Sequence, residues 1–274
     1  MGHCDLGEVR LFFTEDGSGD PPILLIHGWT CDSHDWSWQF DAFTGSHRVV
    51  AVDLRGHGRS STPSSGYKPA TMAADLAGLV RSLGLPPVVA VGHSMGALVA
   101  SALAVEYPEL VRAVVAVDPA YGLAGEVAAA VPALCDAMAV PGGLDVVATV
   151  LGGMEGSDTS AALRNWHRRR VLGMDQEVVA ACARGMYKDA DQFGLRQAAS
   201  DYLRKRSCPT LAVWVSAEAA QWEQSLMDNP SDKCVNWSGA GHWLHQERPE
   251  EFNEIVLSWV GELPDAVTGS GPNN

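Results

Sequence analysis

Several short runs of this chain are apolar at every position and rich in β-branched residues: 23–26 (Ile-Leu-Leu-Ile), 49–52 (Val-Val-Ala-Val), 88–91 (Val-Val-Ala-Val), 111–117 (Val-Arg-Ala-Val-Val-Ala-Val, with one exception) and 210–215 (Thr-Leu-Ala-Val-Trp-Val). A strand with one wet face alternates apolar and polar positions. Strands apolar throughout are covered on both faces, the condition of a parallel sheet between two helical layers. Helical spacing fills the intervals. Met72, Leu76, Leu79, Val80 and Leu83 give residues 70–83 one apolar face before Gly84, and Phe252, Ile255, Val256 and Trp259 do the same for a closing helix over 248–263. With 274 residues, 46% of them hydrophobic, the chain can fill one sizeable α/β core.

Residues 6–15 mix polar and apolar positions ahead of the turn Asp16-Gly-Ser-Gly-Asp-Pro-Pro22, which predicts a pair of edge strands or a hairpin. Ser33-His-Asp-Trp-Ser-Trp-Gln39 predicts the opening of a short helix. The strand alternation stops between Tyr121 and about Ser207. There the chain is helical in pattern, rich in alanine and methionine, with one basic cluster, Arg164-Asn-Trp-His-Arg-Arg-Arg170. We expect 122–207 to be a helical cap inserted into a core made of 1–121 and 208–264. Ordinary crossover helices with a solvated basic face are the plain alternative. Thr268-Gly-Ser-Gly-Pro-Asn-Asn274 lacks apolar anchors, and 265–274 is expected to be a disordered tail.

Thirty-three acidic residues against 19 basic ones give a formal charge of −14, which disfavours nucleic acid and anionic membranes as partners and leaves a small molecule. The N-terminus has neither a basic start nor an apolar leader, and no apolar stretch is long enough to span a bilayer, so a cytoplasmic location is expected. The six cysteines are far apart and form no C-x-x-C pair, so neither a zinc site nor a disulfide framework is expected.

One apolar run ends in Gly92-His-Ser-Met-Gly96 and passes into Ala-Leu-Val-Ala-Ser-Ala-Leu-Ala. This reads as strand, tight turn and helix with Ser94 at the turn. Glycines on either side let the two backbones come close while the serine projects its hydroxyl from a strained conformation. The plain alternative is a small-residue turn that packs a helix on a sheet. Gly28 in His27-Gly28-Trp29, just after another strand, would let the backbone bend and aim N–H groups into a cleft.

Taken with Asp53-Leu-Arg-Gly-His-Gly-Arg-Ser60 and with Gly239-Ala-Gly-His242 before the last helix, these stretches resemble the α/β-hydrolase superfamily from about residue 9 to 263. The resemblance implies an α/β-hydrolase fold: a mostly parallel eight-stranded sheet, helices on both faces, an inserted cap, and a serine–acid–histidine triad. A serine hydroxyl is a poor nucleophile at neutral pH. It needs an imidazole to take its proton, and an acid to hold that imidazole in the right tautomer. His242 resembles the family's base, with His245 a packing or substrate-facing residue and His93 structural. The backbone N–H groups of Trp29 and Met95 resemble its oxyanion hole. No cofactor is needed.

The acid departs from the common pattern. Most relatives carry an aspartate just after the seventh strand, where this chain reads Val213-Trp-Val-Ser-Ala-Glu-Ala-Ala-Gln221. Glu218 is the only carboxylate there, and it would also suit the opening of a helix. Asp118 ends the previous strand, a position some relatives use. We take Asp118, because a carboxylate closing an apolar strand is costly to bury without a partner. Trp29, Trp36, Trp38, Trp166 and Trp243 lie in segments the fold would bring near the pocket mouth, and Trp36, Trp166 and Trp243 are expected to line it. Core packing is the alternative for each. Three functions are compatible with these residues. The first is a serine hydrolase of an ester, lactone or activated C–C bond. The second is a cofactor-independent dioxygenase cleaving an N-heteroaromatic ring of the 3-hydroxy-4-quinolone type with His242 and Asp118. The third is a non-catalytic receptor on the same scaffold.

Overall fold

The computed structural model describes residues 1–264. The expected disordered tail, 265–274, lies outside the described residues. The chain runs through β1 (Gly2–Asp5), β2 (Arg10–Asp16), β3 (Ile23–Ile26), a 3-10 turn at Ser33–Trp36, α1 (Ser37–Phe43), β4 (Val49–Val52), α2 (Pro69–Ser82), β5 (Val88–His93) and α3 (Met95–Glu106). It continues through β6 (Val111–Val117), α4 (Gly125–Met138), α5 (Gly143–Gly152), α6 (Ala161–Leu172), α7 (Gln176–Tyr187), α8 (Arg196–Leu203), β7 (Thr210–Trp214), α9 (Ala217–Gln224), β8 (Lys233–Asn236), α10 (Leu244–Glu247) and α11 (Pro249–Glu262).

The eight strands form one sheet in the order β1-β2-β4-β3-β5-β6-β7-β8. Only the β1–β2 and β2–β4 pairings are antiparallel; every pairing from β4 through β8 is parallel. The edge hairpin begins earlier than the polar–apolar mixture predicts. Its first strand is Gly2–Asp5, and residues 6–9 form the turn.

Both faces of the sheet are covered, as wholly apolar strands require. Leu24, Ile26, Val50 and Val52 pack with α2 and α3 on one side, while Ile23, Leu25, Val49 and Ala51 pack with α1 and α11 on the other. Adjacent residues of a strand thus serve opposite layers. β3, β5 and β6 all end at the same edge of the sheet.

Between β6 and β7 lie five helices, in two groups. Val131, Cys135 and Met138 of α4, Val147 and Leu151 of α5, Val171 of α6 and Val179 and Ala183 of α7 share a core of their own. Ala199 and Leu203 of α8 join the main core, and α8 packs on α3. The helical layer over the strand ends is therefore α4–α7, and α8 belongs to the flank of the sheet. No helix among the described residues is long and apolar enough to cross a membrane.

Candidate active site

Ser94 sits between β5 and α3 with φ 53° and ψ −116°, a conformation that costs a side-chain-bearing residue free energy. The surroundings hold it there. Its N–H donates to Val117 O at 2.9 Å, bonding the turn to the end of β6. A Cβ on Gly92 would lie 2.2 Å from Gly96 O, and one on Gly96 would lie 2.2 Å from Ile26 O. Only glycine fits at either place. Ser94 Oγ has no hydrogen-bond partner among the described residues and opens into the cavity above the strand ends. Three non-glycine residues have positive φ among those described, Thr30, Ser94 and Asp118, and all three lie at the ends of strands or in the turns that follow them. Strain of this kind collects where a surrounding structure enforces it.

Asp118 closes β6 with φ 35°. Its N–H donates to Val213 O at 2.8 Å, which anchors the turn to β7. Oδ1 accepts from the Val215 N–H at 3.1 Å, and Oδ2 meets His242 Nδ1 at 2.6 Å. A carboxylate can only accept, so Nδ1 carries the proton and Nε2 is left as an acceptor. Both carboxylate oxygens are thus partnered, which compensates the burial of a group only 6% exposed. Glu218 is elsewhere. It lies in the first turn of α9, three-quarters exposed, and pairs with Arg196 at the cavity rim.

The segment bearing His242 is held from three directions. Its N–H donates to Met154 O, just beyond α5, at 2.9 Å. The preceding Gly241 N–H donates to Glu247 Oε2 at 2.7 Å, and the same carboxylate receives the Thr159 hydroxyl. Gly156 of the cap and Gly241 stand back to back: a Cβ on Gly241 would lie 2.2 Å from Gly156 N. From below, His93 Nε2 meets His242 O at 2.9 Å. The carbonyl accepts, so His93 is the Nε2–H tautomer. Burial, reinforced by the neighbouring His242 and His245, pushes the His93 imidazole well below its ordinary range and keeps it neutral. The sequence marks His93 as structural and does not show what it holds. Sequence reasoning misses Glu247, Met154 and Val215, and only Glu247, five residues after His242, carries a chemical signal.

His27 fastens the turn after β3. Its Nδ1 lies 2.8 Å from Gly28 O and its Nε2 accepts the Leu54 N–H at 2.9 Å, so both ring nitrogens are used by backbone. Burial lowers its affinity for a second proton. The turn leads to Trp29, whose indole donates to Val179 O of α7 at 3.1 Å. The backbone N–H groups of Trp29 and of Met95, the first residue of α3, donate to nothing among the described residues. Met95 N–H also stands at the positive end of the helix dipole.

Trp29, Ser94, Asp118 and His242 line one cavity of about 710 Å³, closed on its far side by α4, α5 and α7. That volume falls within the range of small-molecule sites. The expected tryptophan lining is corrected here. Trp36 is wholly buried against His245 and Phe252 on the α1–α11 side of the sheet. Trp166 stacks on His34 at 4.7 Å, and Trp243 stacks on His167 at 4.0 Å within the cap core. Trp38 is 40% exposed and is not among the residues that line the cavity. The tryptophans that do reach the cavity are Trp29 and Trp214. Which way an indole faces is decided by the turn that carries it and by the segments packed around it, which its place in the sequence does not specify. Among the described residues no group of three His, Cys, Asp or Glu side chains is arranged to hold a metal.

Known proteins share this architecture. The 2-(acetamidomethylene)succinate hydrolase of Mesorhizobium japonicum is 41% identical over 114 residues, 42% of this chain and 41% of that protein, so the match spans about two fifths of that relative. The structure of an E-2-(acetamidomethylene)succinate hydrolase is 28% identical with a TM-score of 0.73, covering 95% of this chain and 98% of that one. A thermophilic esterase from Thermogutta terrifontis is 27% identical with a TM-score of 0.80, covering 95% and 96%. The family model described as the alpha/beta hydrolase family matches residues 23–255, most of the chain and every element that builds the site, and the chain belongs to that family.

Proposed function

We propose that the chain is a serine-type hydrolase of carboxylic esters or lactones that works through an acyl-enzyme on Ser94. The observation that carries the reading is the 2.6 Å contact between Asp118 and His242 Nδ1, which leaves Nε2 as a base in the cavity that Ser94 shares. In this reading His242 Nε2 takes the Ser94 proton as Oγ attacks the carbonyl carbon. Negative charge develops on the carbonyl oxygen, where the free N–H groups of Trp29 and Met95 stabilise it. The alcohol leaves with the proton from Nε2. Water, deprotonated by the same imidazole, then attacks the acyl group, releases the acid and returns the proton to Ser94. An activated C–C bond can enter by the same steps with a carbanion as leaving group.

An esterase among the structural neighbours supports ester chemistry, and the hydrolases of an acetamidomethylene succinate support hydrolysis in the broader sense. The test is covalent labelling. A fluorophosphonate should modify wild-type protein once, at Ser94, and leave Ser94→Ala untouched, with ester turnover of the variant falling by about three orders of magnitude or more. Labelling that survives the substitution would remove the assignment. Turnover of 3-hydroxy-4-quinolones that requires oxygen would replace it with the dioxygenase, which can use the same Asp118–His242 pair.

A further inference from the structure

Among the described residues the cavity over Ser94 has charge at two places, the Asp118–His242 pair beside the serine and the Glu218–Arg196 pair at the rim. Neither pair offers a spare cation. Arg196 gives its Nε–H to Gly122 O at 3.0 Å and an Nη to Glu218, and its guanidinium lies over Trp222 at 5.3 Å. Glu218 thus balances the charge of Arg196.

Most of the remaining wall is apolar, and its largest part comes from the helices over the strand ends. Val127, Val131, Leu134 and Met138 of α4 follow one another at helical spacing along the cavity, and Leu151 of α5 and Met186 of α7 face them. Val131, Met138, Leu151 and Met186 are buried, while Val127, at 61% exposed, and Met154, at 42%, open part of the lining to solvent. Aromatic neighbours add apolar faces with their polar tips already occupied: Tyr187 donates to Ala120 O at 2.8 Å, and Trp214 to Glu223 at 2.8 Å. Uncovered apolar side chains gathered on a concave surface mark a binding groove.

We propose that the α4–α5–α7 wall is a subsite for a neutral hydrocarbon chain of the ester or lactone, and that the site rejects substrates bearing a carboxylate on that chain. The proposal rests on the serine-hydrolase reading above. Each methylene that leaves water for such a wall strengthens binding by about 0.8 kcal/mol, a factor of about four. A carboxylate placed there sheds its hydration with no unpaired cation to receive it. The net charge of −14 opposes its approach as well.

Two ester series test this, with kcat/KM referred to active sites counted by fluorophosphonate labelling. One lengthens the acyl group of methyl esters from acetate to octanoate, and the other lengthens the alcohol of acetate esters from methyl to octyl. In at least one of them kcat/KM should rise about fourfold per methylene until the wall is filled. Methyl hydrogen succinate should be slower than methyl pentanoate by about a hundredfold or more. Leu134→Trp, which narrows the groove from α4, should lower the ratio of long-chain to short-chain turnover by about tenfold or more, roughly the burial of two methylenes. Flat profiles in both series, or a succinate half-ester as fast as the pentanoate, would overturn the subsite while labelling remained intact. Absent labelling and absent turnover would instead overturn the serine-hydrolase reading. The subsite is then judged by calorimetry on Ser94→Ala: tighter binding of methyl octanoate than of methyl hydrogen succinate supports it, and the reverse order or equality overturns it.

Discussion

Replacing Asp118 by asparagine tests the hydrogen-bond chain at the atom where it starts. The Val215 N–H points at Oδ1 from 3.1 Å and can only donate, so the amide must keep its oxygen on that side and turn its NH2 toward His242. The NH2 then donates to Nδ1 across the 2.6 Å contact, and the imidazole is forced to carry its proton on Nε2. An Nε2–H cannot accept from Ser94. The shape of the site survives and the base is lost. Loss of the right tautomer in a triad lowers kcat by about 10⁴, equivalent to about 5 kcal/mol of transition-state stabilisation. Glu218→Gln should change kcat by less than about tenfold, because that carboxylate is three-quarters exposed and engages Arg196 instead of the imidazole. Single-turnover and steady-state hydrolysis of a p-nitrophenyl ester would measure both, with circular dichroism and thermal melts to establish folding. If Asp118→Asn stays within about tenfold of wild type while Glu218→Gln loses about a hundredfold or more, the chain of donors and acceptors described here is wrong.

Three further outcomes are expected. Gly96→Ala should lower Tm by several degrees, since its Cβ would meet backbone oxygens of Ile26 and His27 at 2.2 and 2.6 Å, a clash on the order of 1–3 kcal/mol or more; an unchanged melt would contradict the close packing of the elbow. Glu223→Ala should cost about 3–5 kcal/mol in urea denaturation, because it strips Arg206, Tyr121 and Trp214 of the buried carboxylate they share at 2.8, 2.7 and 2.8 Å. His57 is wholly buried, and that burial, with His27 beside it, pushes its imidazole down to about 3. The folded protein therefore refuses a proton that the unfolded chain binds near pH 6.5, so stability is full above that pH and falls between about 6.5 and 3, at about 1.4 kcal/mol per pH unit for this one group. His57→Asn should flatten the urea midpoint between pH 6 and 4 by that slope, and an unaltered slope would count against a neutral buried His57.

What could be read from the chain was what neighbours in sequence decide. The elbow is local: strand, two glycines and helix lie within one stretch, and the two glycine approaches of 2.2 Å are the reason for the pattern. The sheet was legible because runs such as Ile23–Ile26 are apolar at every position, and both layers that cover it need alternate residues of the same run. Contacts between distant segments left less trace. Asp118 and His242 meet across 124 positions, and nothing around Glu218 in sequence announces that it turns to Arg196. The tryptophans failed for the same reason: whether an indole at a strand end faces the cavity or the layer behind it depends on the turn that follows, and the turn after β3 sends Trp29 one way and Trp36 the other. The division of 122–207 into four covering helices and one flanking helix was also hidden, since the apolar residues of α8, Ala199 and Leu203, do not say which layer they join.

The back-to-back glycines at 156 and 241 bear on how such proteins diversify. A cap that touched the core only through side chains could be traded between relatives as a module. This one also lends a main-chain carbonyl, at Met154, to the residue that would act as base, and shares one carboxylate with the loop before it. A chimera joined at 122 and 207 would replace that carbonyl and the paired glycine along with the hydrocarbon wall. Selectivity and the placement of the imidazole are therefore inherited together here, and a graft that means to alter only the first must retain 153–160 from this chain.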